Sequence, residues 1–464
     1  MYDIIIVGSG LAASSFLDGL NTKNKKIAMI SPSAKKKKNL IFNNYNYIKK
    51  NLPPRYYKKD FSPIAEYFTK NRIILDSKTS IFGVLDQGGV SEYWGGSCEF
   101  IEEKKLDFLN KSNKKIFTNI LLNLYKNFNF TGKLRLSKKQ IKNRIPSKID
   151  NIFKKIILNC SNNSFNFFHN CNAENYKTKK ILSPSSFFLK KKKEIEKINF
   201  FVSKIKKKKN YYLVFCENDK KKIILTTKKL VLGAGTISTT KLVCEMLNIR
   251  KLVKILHNPM LFGVFTLKEK TKLDNFSSSK LACKIFLNKS DKYSTVNFRS
   301  SNLLIKQKIF KNYFLMKNFF FQKFYNYFEK KFLFFNLYLD NKFSNIYMKL
   351  TSNNQIKITT KKKKNKFIKS ELLKNSNYLY KHLIKNKIIY PFKLNLVPKI
   401  GHDNHYIGTI PINGKDKILS LNEKCHLKNY KNLIIIDGSA IPANYSKFPT
   451  GLIIANAKRI GLDN

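Results

Sequence analysis

The sequence predicts an α/β protein: a Rossmann-like, dinucleotide-binding parallel sheet that carries a β-meander, with an inserted α+β substrate domain. Three observations lead there. The chain opens on a buried strand, a glycine turn and a helix. A second strand–turn–helix crossover occupies residues 229–243, and a third buried strand ends in Asp437-Gly438 near the end of the sequence. With 464 residues, 43% of them hydrophobic, the chain can build one large domain with insertions or two domains.

The first element reads MYDIIIVGSGLAASSFLDGL. Ile4 to Val7 form a continuous, largely β-branched run, the pattern of a strand buried on both faces. Gly8, Gly10 and Ala13 complete G-x-G-x-x-A, followed by a helical pattern through Leu20 and a second strand at 26–30. Gly8 permits the tight turn, Gly10 lets backbone approach a pyrophosphate, and Ala13 lets the helix lie close to the strand. The helix N-terminus then faces the negative charge. The motif alone is weak, but a strand before it and a helix after it predict dinucleotide binding. Where an acidic residue usually meets the ribose, this chain has Ser31, a weaker hydrogen-bonding partner than a carboxylate.

A second glycine cluster, GGVSEYWGGSC at 88–98, holds the only tryptophan, Trp94. Paired glycines around an aromatic pair predict backbone pressed against a flat ligand, with an aromatic plug in a loop as the alternative. Three strand-like pieces at 199–227, separated by lysine-rich turns, predict a meander. The crossover KLVLGAGTISTTKLV follows, with Gly235 in its turn and Thr and Ser as expected helix caps. Between 266 and 400 the character changes to an aromatic-basic stretch at 310–335, hairpin-like pieces, and a helix over 366–387. The aromatic-basic stretch reads as core and rim of a substrate domain, or as an interfacial helix on acidic lipid. The last strand leads through a proline turn to a helix from about Thr450, which is a possible cap. The expected division is 1–105 and 196–265 for the nucleotide-binding domain, 106–195 for a cap insertion, 266–400 for substrate binding, and 401–464 for the active-site segment and C-terminal part.

The net charge of +61 would attract polyanions. Yet only seven of the 90 basic residues are arginine, the residue that grips phosphate and guanine bidentately. The lysines sit in runs, at 35–38, 190–193, 206–209 and 361–364, between apolar segments, where solvated loops are expected. Specific nucleic-acid recognition is therefore not expected; peripheral membrane contact stays open. Seven cysteines without a C-x-x-C pair suit a reduced, cytoplasmic setting. No apolar run approaches the ~20 residues that span a bilayer.

Two of the six histidines, His402 and His405, lie in GHDNHYIGTIP. A metal pair, a proton acceptor and a structural hydrogen-bonded pair are all open readings. Against a metal, Gly401 and the run after His405 read as turn and extended chain, and no Cys, Asp or Glu cluster completes a site.

In order and spacing, IIIVGSGLAAS, GGVSEYWGGSC, KLVLGAGTISTTKLV, and HYIGTIP with LIIIDGSAIP and FPTGLIIANAKRI resemble the glucose-methanol-choline family of FAD-dependent oxidoreductases. The nearest branch is that of bacterial sugar dehydrogenases and pyranose oxidases. The resemblance implies non-covalent FAD held at its pyrophosphate by Gly8, Gly10 and Ala13, with Ser31 at the ribose and the backbone of Val202 at the adenine. Gly95 and Gly96 would lie along the flavin, Gly235 on the cofactor side of the crossover turn, and Asp437 and Gly438 at the ribityl-pyrophosphate. His405 matches the histidine in front of flavin N5, with His402 a weaker candidate for the same pocket. The implied activity is dehydrogenation of a CH–OH group of a sugar, polyol or glycan precursor by hydride transfer, with His405 as base and an unidentified electron acceptor. Histidine's near-neutral pKa suits that task.

Two departures stand out. Phe448 occupies the place of the family's second active-site His or Asn, leaving Asn404 or Asn444 as substitutes. Tyr93 stands where the branch with covalent flavin has histidine. The alternatives are a flavin enzyme of other chemistry, such as an isomerase or reductase, or a non-catalytic basic protein on membranes or polyanions.

Overall fold

The computed structural model describes residues 1–32, 62–98, 106–128, 130–131, 151–175, 181–184, 195–271, 279, 281–286, 293–301, 319–442 and 448–464. Its central layer is a sheet with five parallel strands, in the order Tyr430–Ile435, Lys222–Leu232, Tyr2–Val7, Ile27–Ile30 and Glu196–Ile198. Ile5 lies between Leu230 and Ala28 in register, and all three are buried. That burial on both faces is why the first strand reads as an unbroken apolar run.

The strand Lys222–Leu232 is eleven residues long and joins the meander to the parallel strands within one eight-stranded sheet. Its first half pairs antiparallel with Tyr212–Glu217, which pairs in turn with Phe201–Lys207; its second half joins the parallel sheet. The sequence suggests two separate strands here. They fuse because no Gly, Pro or Asn breaks the chain between Lys222 and Leu232, and Lys228 at the junction reaches Asp3 at 3.1 Å.

The first helix, Leu11–Gly19, packs directly on the last, Thr450–Leu462. The two touch through glycine: a Cβ at Gly461 would stand 2.2 Å from the Phe16 carbonyl oxygen, and one at Gly19 would stand 2.4 Å from that of Lys458. The expected caps differ from those observed. Thr450 is the first helical residue, with Pro449 at the boundary. The crossover helix Thr236–Met246 begins after Gly235 with no side-chain cap, because its hydroxyls are used elsewhere: Thr236 bonds the Tyr406 carbonyl and Thr239 bonds Asp437.

An outer, antiparallel sheet has six strands, ordered Ile389–Leu396, Met260–Leu267, Phe332–Tyr338, Tyr293–Ser300, Leu281–Phe286 and Phe165–His169. It draws on three separate stretches of sequence. Side chains alternate across it. Phe265, Phe298, Phe335 and Leu337 join the main hydrophobic core on one face, where the helix Lys362–Lys385 packs. That helix begins four residues before the expected 366, since lysine is a good helix former. Within the aromatic-basic stretch, Phe319–Phe328 is a short helix and Phe332–Tyr338 is a core strand of this sheet; residues 310–318 lie outside the described residues. A smaller sheet joins Val253–Ile255, Ile346–Leu350, Ile356–Thr359 and Ile73–Leu75. All seven cysteines are buried. Among the described residues no helix is long and apolar enough to cross a membrane.

The glycine contact between the terminal helices gives a stability test. Gly461→Val drives a side chain into the Phe16 backbone, and overpacking of this kind costs about 1–3 kcal/mol. The expected outcome is a lower urea midpoint with an unchanged slope.

Candidate functional site

Three strand–helix turns converge at one edge of the central sheet. Gly8 has φ +104°, and a Cβ there would stand 2.3 Å from the Gly233 carbonyl oxygen, so only glycine fits. Its N–H donates to the Ile30 carbonyl at 2.7 Å, which fixes the turn to the end of the second strand. There Ser31, partly exposed, donates its own N–H to the Ile198 carbonyl at 3.1 Å. The first turn of the helix Leu11–Gly19 holds no acidic residue, and Gly10 keeps its mouth clear of a side chain. Ala13 packs against the crossover turn at Gly233. Gly235 has φ +90° with open space where a Cβ would be. A glycine turn, a helix N-terminus without competing acid and a hydroxyl at the strand end together fit a dinucleotide. Val202 is buried in the meander, opposite Cys216.

The 88–98 cluster is clamped over this mouth. Gly88 donates its N–H to Ser9 Oγ at 2.9 Å, and Ser91 Oγ accepts from the Leu11 N–H at 3.1 Å. Its two aromatic residues are anchors: Trp94 Nε1 donates to the Leu182 carbonyl at 2.8 Å, and the Tyr93 hydroxyl donates to Asp86 at 3.1 Å. Its second glycine pair behaves differently. A Cβ at Gly95 would stand 3.7 Å from Arg299 Nη2 of the outer sheet. Gly96, with φ +73°, packs on Ile181.

Asp437 is directed inward. It accepts from the Gly235 N–H at 2.9 Å, from Thr239 Oγ1 at 2.5 Å, from the Ser439 N–H at 3.0 Å, and from Ser439 Oγ. Burial raises its carboxyl above the ordinary range, against the pull of these donors. Its neighbour Gly438 has no room for a Cβ, which would lie 2.6 Å from Thr236 Oγ1 and 2.7 Å from the Tyr406 oxygen. Asp437-Gly438 therefore joins the crossover turn to the histidine segment.

That segment is held by its non-histidine residues. The Tyr406 hydroxyl donates to the Gly401 carbonyl at 2.6 Å and to Asn404 Oδ1 at 3.2 Å, and accepts from the Phe82 N–H at 3.0 Å. Burial, with Asp403 nearby, pushes that hydroxyl well above its ordinary pKa, so it stays a donor. The buried Asp403 pairs with His257 Nδ1 at 2.9 Å and accepts the backbone N–H of Asn258 at 3.0 Å and of His405 at 3.2 Å. Burial alone would raise Asp403, but His257, His405 and the Asn258 N–H together hold it below the ordinary carboxylate range.

The two histidines lie against one face of the outer sheet. His402 meets Phe262 edge-on with centroids 5.6 Å apart, while His405 sits 5.6 Å from Tyr338 and 5.3 Å from Phe448. Phe448, buried with Met260 and Tyr338, is thus beside His405. Asn404 is turned toward Tyr406, and Asn444 lies outside the described residues. Among the described residues no group of three His, Cys, Asp or Glu side chains could hold a metal. Sequence reasoning passed over His257, Asp403, Tyr338 and Arg299. Asp403 lies within the quoted motif, but no spacing rule links it to His257, 146 residues away.

No family model matches the chain, and no curated protein does. Among solved structures, the fold is similar to pyridoxine 4-oxidase from Mesorbium loti, with TM-score 0.66, 11% sequence identity, and coverage of 100% of this chain and 99% of that one. The likeness runs over the whole chain, so the two proteins share the α/β fold.

Asp403→Asn removes one charge from a buried, hydrogen-bonded pair, at a cost of about 3 kcal/mol. Because the native Asp403 pKa is depressed, its contribution is fully present above the unfolded-state value of ~3.9 and is lost as pH falls through the native value. Denaturation of both proteins from pH 7 to 3 should show the gap closing in acid.

Proposed function

We propose that this protein is an FAD-dependent oxidoreductase of the glucose-methanol-choline type that dehydrogenates a CH–OH group, with His405 as the base. The observation that carries this is the convergence of four sequence-distant segments. The glycine turns at Gly8 and Gly235, the Gly95 loop and the His405 segment meet between the central sheet and one face of the outer sheet. The whole-length likeness to an oxidase supports the same reading.

FAD, when bound, supplies the acceptor for the hydride leaving the carbinol carbon. The protein must then bind the alcohol, orient it and take its hydroxyl proton. Gly8, Gly10, Ala13, Ser31 and Gly235 are placed to hold the dinucleotide, while Asp437 acts through Gly235 by fixing its turn. His405 presents its imidazole beside Tyr338 and Phe448, and histidine is a residue type that serves as a general base. Asp403 fixes the loop by its bond to the His405 N–H, so the ring is positioned before substrate arrives. Phe448 and Met260 exclude water from one side of the imidazole. Tyr93 engages Asp86, which supports non-covalent flavin. A sugar or polyol is the proposed substrate, and His402, against Phe262, a wall of the same pocket.

A second reading rests on Phe448. An apolar ring where a hydrogen-bonding partner is expected also suits flavin chemistry that needs only one proton-transferring group, such as isomerisation.

Purified protein should be yellow and should release FAD on acid denaturation. A colourless protein that cannot be reconstituted would overturn both readings. In an anaerobic screen of sugars and polyols, His405→Ala should slow flavin bleaching by roughly 10²–10⁴-fold while retaining FAD. Undiminished bleaching removes His405 from the mechanism.

A further inference from the structure

The outer-sheet face opposite the hydrophobic core carries a polar row that the proposed reaction does not use. Strand Tyr293–Ser300 alternates, so Val296 and Phe298 enter the core while Thr295, Asn297 and Arg299 share the other face. Register places Thr295 beside Tyr338 and Asn297 beside Asn336. It also places Met260 beside Tyr338 and Phe262 beside Asn336. Tyr338 and Phe262 are the rings that meet His405 and His402. The polar row therefore continues the wall on which the two histidines sit.

Asn297 is 1% exposed, and neither its Nδ2 nor its Oδ1 has a hydrogen-bond partner among the described residues; Thr295 Oγ1, also 1% exposed, has none either. A buried carboxamide without partners costs free energy that an apolar residue of the same size would avoid. Such a group on a site wall marks a position where a ligand supplies the partners. Arg299, two residues on, lies at the Gly95 end of the same face. It is one of seven arginines among 90 basic residues, and its planar fork matches a carboxylate or phosphate where lysine would not. From Thr295 to Arg299 the strand rises about 13 Å, enough to separate a reacting alcohol from a terminal acid.

We propose that this row reads the substrate, which is a polyhydroxy compound carrying a terminal anionic group, with Arg299 on the anion and Asn297 on a hydroxyl along the chain. This rests on the proposed function for the reaction but assigns the recognition to residues of this strand.

The test uses the full-length protein and three matched probes, glucitol, gluconate and glucitol 6-phosphate, titrated by calorimetry at 150 mM salt. Either acid should bind at least tenfold tighter than glucitol, and the better one identifies carboxylate or phosphate as the anion. Arg299→Gln should remove that preference by 10- to 100-fold, and Arg299→Lys should recover only part of it. Asn297→Leu should weaken all three probes about tenfold yet raise the melting temperature, the opposite of what a structural asparagine would do. Equal binding of acids and glucitol, or no binding of any probe, overturns the proposal. So does a preference that survives Arg299→Gln, because it then belongs to the general lysine field. Calorimetry needs no turnover, so a protein that prefers acids but takes up no FAD refutes the flavin reading alone. A yellow protein without the preference refutes this inference alone.

Discussion

Asp437 is a carboxylate removed from water, and such a group is stable in a fold only when donors surround it. Its donors come from two places: Ser439 next to it, and Gly235 and Thr239 some 200 residues earlier. Satisfying that one side chain locks the end of the last parallel strand to the crossover turn. It thereby fixes Gly235 in its left-handed conformation and brings Gly438 against Tyr406. The glycine turn at Gly235 and the histidine segment are thus aligned by the same buried carboxyl group.

Asp403 repeats the device one layer outward. It holds the backbone of two loops, at Asn258 and at His405, and pairs with a buried imidazole. Neither loop has regular structure, so this charge adds to the Tyr406 hydrogen bonds in defining the backbone at His405. Loops carry the chemistry because rigid elements hold their ends; here buried carboxylates also hold their middles. A network of this kind is strong only while every member is satisfied, which ties the order of the site to the ionised state of Asp403.

The great excess of lysine plays little part in this arrangement. The Lys228–Asp3 and Lys155–Glu269 pairs are solvent-exposed on both sides, where ion pairs contribute little. Two of the described arginines stand elsewhere. Arg459 is fully buried, with its guanidinium on Asn113, Asn456 and the Glu423 carbonyl, and Arg299 lies beside Gly95. In this chain lysine sets the surface charge, while these two arginines serve positions that need a fixed planar geometry.

The sequence by itself determined the central sheet, because local signals encode it. Unbroken β-branched runs, glycines at fixed offsets and helical periodicity each act within about twenty residues. The meander, both crossovers and the long helix near 366 were legible for the same reason, and the segment around His405 was singled out by its motif, while its contacts were not. Tertiary structure alone decided which distant segments share a sheet and which side chains face one another. The outer sheet takes strands from three stretches of sequence. Asp403 finds His257 across 146 residues, and Asn297 shows its polar face only once register sets it opposite Asn336, with Thr295 opposite Tyr338. Pairing across such separations is set by burial and register, which depend on the whole folded chain and leave no spacing in the sequence to read.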